Sequence, residues 1–188
     1  MACLKLLEAP EGPLLIDFPE DAPVSSEEPG MLSCPYIPRE QDTTLTETER
    51  LCHVFKAEML SLRPWYDIAV EKRKRTTVGL SQLDLENIDS FICSFLSDVI
   101  PGNPRRDVSL AAELRFAADD LKAYYYEAMT AQPGMETATA EALAKWFWQD
   151  TQAGRMLVAV RDACLKSSDD SLQRVARGQL IPRRFAQR

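Results

Sequence analysis

Lys72, Arg73, Lys74 and Arg75 run directly into Thr76, Thr77, Gly79 and Ser81. Cations beside hydroxyls and a glycine are residue types that can hold an anion. A Walker-type phosphate cradle, however, needs GxxxxGK[ST], with its glycines before the lysine and the lysine at a helix start. Here the basic run precedes Gly79 and closes a helical pattern. A helix C-terminus repels anions and favours cations, by about 0.3–1 kcal/mol for each cation. The first expectation is therefore a helix end, a turn at Gly79, and Ser81 capping the next helix. The second is a site for an anion or an acidic partner built from Arg73, Arg75, Thr76 and Thr77. Arg63 with Asp67, and Glu71 with Arg75, are also spaced for i,i+4 ion pairs.

Other reactive residue types are sparse. His53 is the single histidine, and Cys52 beside it would point about 100° away on a helix, which rules out a nucleophile–base couple between them. His53 is expected beside the apolar face of its helix, partly buried. One histidine also excludes the Glu-x-x-His pairs of di-iron bundles and histidine-rich zinc sites. Cys3, Cys34, Cys52, Cys93 and Cys164 are odd in number and never closer than four residues, so neither a disulfide framework nor a CxxC redox pair is expected. Cys93 and Cys164 read as small core residues, and Cys34 has only Arg39 nearby to activate it. The adjacent pairs Glu27-Glu28, Asp119-Asp120 and Asp169-Asp170 diverge on a helix and read as solvated. No catalytic residue, metal or cofactor is predicted.

Two aromatic runs, Tyr124-Tyr125-Tyr126 and Trp146-Phe147-Trp148, each cover more than one helix face. Each should leave at least one ring half exposed, under a neighbouring segment or available to a partner. The candidate ligand or partner surface is Arg63, Trp65, Tyr66, Asp67, Arg73, Arg75, Thr76, Thr77, Tyr124, Tyr126, Trp146 and Trp148.

These residues must be positioned by helices. Seven prolines between Pro10 and Pro38 forbid helix and central strand there, so residues 1–43 read as an extended, acidic, proline-rich arm. Its apolar beads, among them Leu14, Phe18, Met31, Tyr36 and Ile37, suit a groove on its own body or on a partner. From Thr44 the period becomes helical. Thr46 and Glu49 form a capping box, Pro64 should kink or restart the first helix, and apolar residues continue to about Lys74. Ser81 and Asp84 open a second helix whose stripe runs from Leu85 to Val99, before Pro101 and Pro104. A third spans about 109–130. A long segment follows from about Thr137 to Leu165, in which Gly154 marks a kink or a close crossing. A last helix near 169–177 is closed by Gly178 as a left-handed cap. The fold class is all-α: one bundle of five to six helices over 44–181, preceded by the arm and followed by a basic tail, 182–188.

Charge is segregated along this plan. Residues 1–43 hold nine acids against two bases, which accounts for the whole net charge of −7. The body is balanced, and residues 171–188 carry five arginines and no acid. A balanced body argues against nucleic acid as a partner. Without a run of about 20 apolar residues, no membrane span is expected. The interrupted apolar patches at the start do not read as a signal peptide, which makes a soluble, cytoplasmic protein the expectation.

"GPLLIDFPEDAP" (12–23), "LRPWYDIAVEKRKRTTVGLS" (62–81), "LKAYYYEA" (121–128) and "WFWQDTQAGR" (146–155) resemble segments of bacterial proteins grouped with the selenoprotein B family of glycine, sarcosine and betaine reductases. The resemblance implies a bacterial protein and reductive chemistry at a selenocysteine or cysteine. This chain has neither selenocysteine nor a paired cysteine motif, so no catalytic residue carries over. The function expected from the residues is a non-enzymatic helical interaction or accessory protein with a protein partner or a second copy of itself. The alternative is an enzyme or small-molecule binder, redox-related or not, with an aromatic pocket between helices.

Overall fold

The computed structural model describes residues 44–97, 99–135 and 138–186, and the arm expected over 1–43 lies outside them. Six α-helices, and no strand, make up the described residues: α1 Glu47–Arg73, α2 Leu85–Ser94, α3 Leu110–Thr130, α4 Ala140–Asp150, α5 Gln152–Lys166 and α6 Asp170–Gly178. A 3-10 turn, Arg183–Phe185, follows. The expected all-α class is the observed one.

α1 starts as its sequence predicts. Thr46 Oγ1 accepts from the Glu49 amide at 3.2 Å, and Glu49 Oε2 accepts from the Thr46 amide at 2.9 Å. Phe55, Met59, Leu62, Tyr66 and Ala69 then recur every three or four residues and are buried. Of the two outcomes expected at Pro64, the restart does not occur; α1 runs through it as one helix of 27 residues. Pro64 cannot donate to the Leu60 carbonyl, but both residues lie on the exposed face, where water replaces the missing bond. The helix closes at Lys74, a non-glycine left-handed cap with φ 54° whose amide returns to the Val70 carbonyl.

Three other expectations are corrected. α2 ends at Ser94, not Val99. The Ser94 and Ser97 hydroxyls take the Phe91 and Ser94 carbonyls, and the Phe95 and Leu96 amides make short three-residue bonds, so the last turn tightens out of register. The long segment expected from Thr137 to Leu165 is two helices. Thr151, in extended geometry, donates to the Phe147 carbonyl at 2.6 Å and accepts from the Gly154 amide at 3.0 Å, ending α4 and capping α5 with one hydroxyl. Finally, Gly178 is the last helical residue and not a left-handed cap. The Gln179 and Leu180 amides both return to the Val175 carbonyl, and the chain turns inward through buried Leu180 and Ile181.

α3 lies along α1, while α5 packs on α1, α2, α4 and α6. One apolar cluster runs through all six helices, from Phe55 to Ile181. Residues 182–186 return to the bundle: Phe185 stacks on Trp148 with ring centres 6.0 Å apart, and Arg161 donates to the Ala186 carbonyl at 3.0 Å. No helix of the described residues is long and apolar enough to cross a membrane.

The α4–α5 corner is so tight that a Cβ on Gly154 would stand 2.3 Å from the Phe147 carbonyl oxygen, a backbone atom that cannot step aside. Gly154→Ala should therefore lower stability by about 1–3 kcal/mol, read as a fall in denaturation midpoint. Gly178→Ala, whose added Cβ meets nothing within 4 Å, should be neutral or slightly stabilising. Equal effects of the two changes would contradict the close corner.

Candidate functional site

The stretch between α1 and α2 does grip an anion, and the anion belongs to the chain itself. Thr77 donates through its amide and its hydroxyl to Glu127 Oε1, each at 2.7 Å, and Thr76 Oγ1 donates to Glu127 Oε2 at 2.9 Å. With its single hydroxyl proton spent there, Thr76 accepts from the Tyr66 hydroxyl at 2.9 Å. Seven residues back along α3, Asp120 takes four donors. The Gly79 and Leu80 amides reach Oδ1 at 2.8 and 2.9 Å, and the Ser81 amide and hydroxyl reach Oδ2 at 2.9 and 2.6 Å. Successive amides converging on one carboxylate form the nest that elsewhere holds phosphate. Ser81 thus does not cap α2; Asp84 occupies the cap position, and its side chain makes no capping bond.

Glu113, another seven residues back, completes a row of acids on one face of α3. It is fully buried, and neither oxygen has a hydrogen bond; its charge faces Arg105, whose Nη1 is 3.5 Å away. Arg105 also donates to the Leu80 carbonyl at 3.1 Å and is clamped by Asp107. Asp120, expected to be solvated beside Asp119, is fully buried instead. Asp119 pairs with Lys122 at the surface. The signal that would have found this row is its seven-residue spacing within the apolar stripe of α3.

A fourth buried acid works the same way elsewhere. Glu58 on α1 accepts from the Gln152 amide at 2.8 Å, the Ala153 amide at 3.2 Å and the Tyr125 hydroxyl at 2.8 Å. It stands at the N-terminus of α5, where exposed amides and the helix dipole favour negative charge.

The predicted surface residues divide between the exterior and the core. Arg63 and Asp67 form the expected ion pair at 2.9 Å on the exposed side of α1. Arg73 donates to Thr130 at 2.7 Å, Arg75 is exposed, and Trp65 is half buried against the core. The aromatics pack in a chain of ring contacts: Tyr66 on Tyr124 at 4.8 Å, Tyr124 on Tyr125, Tyr125 on Trp146 and Phe147, and Phe147 on Trp148. Tyr126 is half buried, as one ring of its cluster should be, but Trp146, Phe147 and Trp148 are all buried. Tyr125 and Phe185 cover the faces of α4 that its own stripe could not. His53, expected to be partly buried, is exposed. Among the described residues, no group of three or more His, Cys, Asp or Glu is arranged to hold a metal ion.

What remains open is a cleft of about 810 Å³ between the start of α1, the end of α2 and the α5–α6 corner. Leu51, Phe95, Leu96, Ile100, Pro101, Ala159, Ala163 and Leu172 are among its apolar lining residues. Glu47, Thr48, Ser97, Asp162, Lys166, Ser167 and Ser168 are its polar ones. Exposed Val99 and Leu165 adjoin the lining residues in the chain. None of these residues stood out in the sequence, because the cleft is assembled from four separate segments. Comparison with protein families, curated proteins and solved structures finds no match to this chain.

The buried acids have a consequence for pH. Burial pushes the Glu58 carboxyl above its ordinary 4.5, although the Gln152 and Ala153 amides and the Tyr125 hydroxyl pull it back. Burial raises Glu113 likewise, against the pull of Arg105. Both bind protons more tightly in the folded chain, so the stability they contribute is fully present below about 4.5 and lost as pH rises through their raised values. Glu49 and Asp107, held low by bonds from Thr46 and Arg105, act in the opposite sense and lose their contribution as pH falls through their lowered values. The melting temperature should rise as pH falls from about 7 to about 5, and Glu113→Gln, which is neutral throughout, should shrink that rise. The same slope in both proteins would show that Glu113 is not a desolvated carboxylate.

Proposed function

We propose that this chain is a non-enzymatic helical interaction protein whose cleft receives an extended, apolar segment of a protein partner. The observation that carries the reading is the cleft itself. It is lined by apolar side chains mixed with polar ones, and exposed Val99, Ile100 and Leu165 lie at or beside it. Exposed apolar side chains gathered with polar groups at one cleft suit a recognition site. Glu58, Asp120 and Glu127 support the reading from the other side, because their oxygens are already held by backbone amides and hydroxyls of the same chain. The volume also falls within the range of small-molecule sites, and the test has to separate the two.

A photoreactive residue placed at Ala163 in the full-length protein should, on irradiation in cell extract, join to a polypeptide through an apolar stretch. Ala159→Arg, which fills the cleft, should reduce the yield at least tenfold. Adducts to small molecules alone, or a polypeptide yield indifferent to Ala159→Arg, would count against a protein-docking cleft. An adduct to a second copy would identify the partner as the chain itself.

A further inference from the structure

Cys52 and Cys93 lie forty-one residues apart in the sequence, and the crossing of α1 and α2 places their thiols beside one another. The crossing is antiparallel, as neighbouring contacts show independently. One turn along α1, Lys56 Nζ donates to Ser90 Oγ at 3.1 Å, and in the other direction Thr48 and Leu51 share the cleft wall with Phe95 and Leu96. Positions 56 with 90, 52 with 93 and 48 with 96 therefore face one another in order. Both cysteines are only half buried, whereas Cys164 is buried. We propose that Cys52 and Cys93 form a reversible thiol–disulfide site, oxidised by hydrogen peroxide or a similar small peroxide and reopened by a thiol reductant.

The roles of the two sulfurs follow from their surroundings. Burial, with the neighbouring Cys52 adding to it, pushes the Cys93 thiol far up, so Cys93 keeps its proton. Cys52 is the sulfur that reacts first. It loses its proton to solvent, its electron pair attacks one peroxide oxygen, and the O–O bond breaks; hydroxide leaves and takes up a proton as water. The resulting Cys52 sulfenic acid faces Cys93, whose sulfur attacks it. The S–O bond breaks, the S–S bond forms, and the departing hydroxyl leaves as water with the Cys93 proton. In sum, two thiols and one peroxide become one disulfide and two waters, the sulfurs supplying both electrons. The bridge would pin α1 to α2 beside the wall of the cleft.

The test uses the full-length protein, treated with one equivalent of hydrogen peroxide, alkylated, digested with trypsin and read by mass spectrometry. A linked pair of peptides, 51–56 with 76–105, should form and disappear on reduction. Cys93→Ser should instead accumulate a sulfenic acid at Cys52 that dimedone traps, and Cys52→Ser should leave Cys93 in the thiol state. Bridges formed chiefly through Cys3 or Cys34 would overturn the proposal. So would oxidation of Cys52 beyond the sulfenic acid in the wild-type protein with no linked peptide.

Discussion

A carboxylate can stay inside a helical core only if the protein supplies the hydrogen-bond donors that water would have supplied. Leaving such a charge without partners costs about 3–5 kcal/mol, a large share of a small domain's net stability. This chain buries Glu58, Glu113, Asp120 and Glu127, and three of the four are surrounded by donors. Hydrogen bonds to charged groups contribute about 1.5–3 kcal/mol each. The four donors on Asp120 are thus enough to hold a loop that has no secondary structure of its own. The loop needs the acid as much as the acid needs the loop, since its amides at Gly79, Leu80 and Ser81 would otherwise have to find water.

The same constraint orders the rest of the bundle. Asp120 and Glu127 fix the connection from α1 to α2, and so determine where α2 crosses α1. Glu58 joins α1 to the amides that begin α5, which places the Thr151 corner and brings Phe147 against Gly154. Tyr125 donates to Glu58 while its ring touches Trp146 and Phe147, so the polar node and the aromatic chain are parts of one packing arrangement. Glu113 is the exception. It has a charge partner at 3.5 Å but no hydrogen bond, and it is where the core is electrostatically least settled.

Local features were legible in the sequence, and long-range pairings were not. The α1 capping box, the apolar stripe of α1, the Ser109 start of α3 and the all-helical class follow from spacing within a few residues. The basic run was also read correctly as a helix end, and the anion-gripping character of Thr76 and Thr77 was visible. What no local pattern could show is that the anion is Glu127, fifty residues on. The restart allowed for at Pro64 and the left-handed cap expected at Gly178 misled because their rules describe backbone preference, which solvent exposure overrode at one and inward turning at the other. The Trp146-Phe147-Trp148 run misled because one helix face was counted at a time, although several neighbours bury α4. Cys52 and Cys93 meet only through the crossing of two helices, and the cleft likewise has no counterpart in the linear chain.

With the interior acids committed to the protein's own backbone, the proposed recognition falls to the surface, at the cleft beside the start of α1. The account rests on the Asp120 nest being filled from within, and amide hydrogen exchange at Gly79, Leu80 and Ser81 examines this most directly. These residues lie in an irregular segment, and Gly79 and Leu80 are exposed. Protection of all three amides to the level of the buried turns of α3 is the expected result. Exchange at the rate of an ordinary exposed loop would mean that Asp120 does not hold them, and the internal-anion account would be wrong.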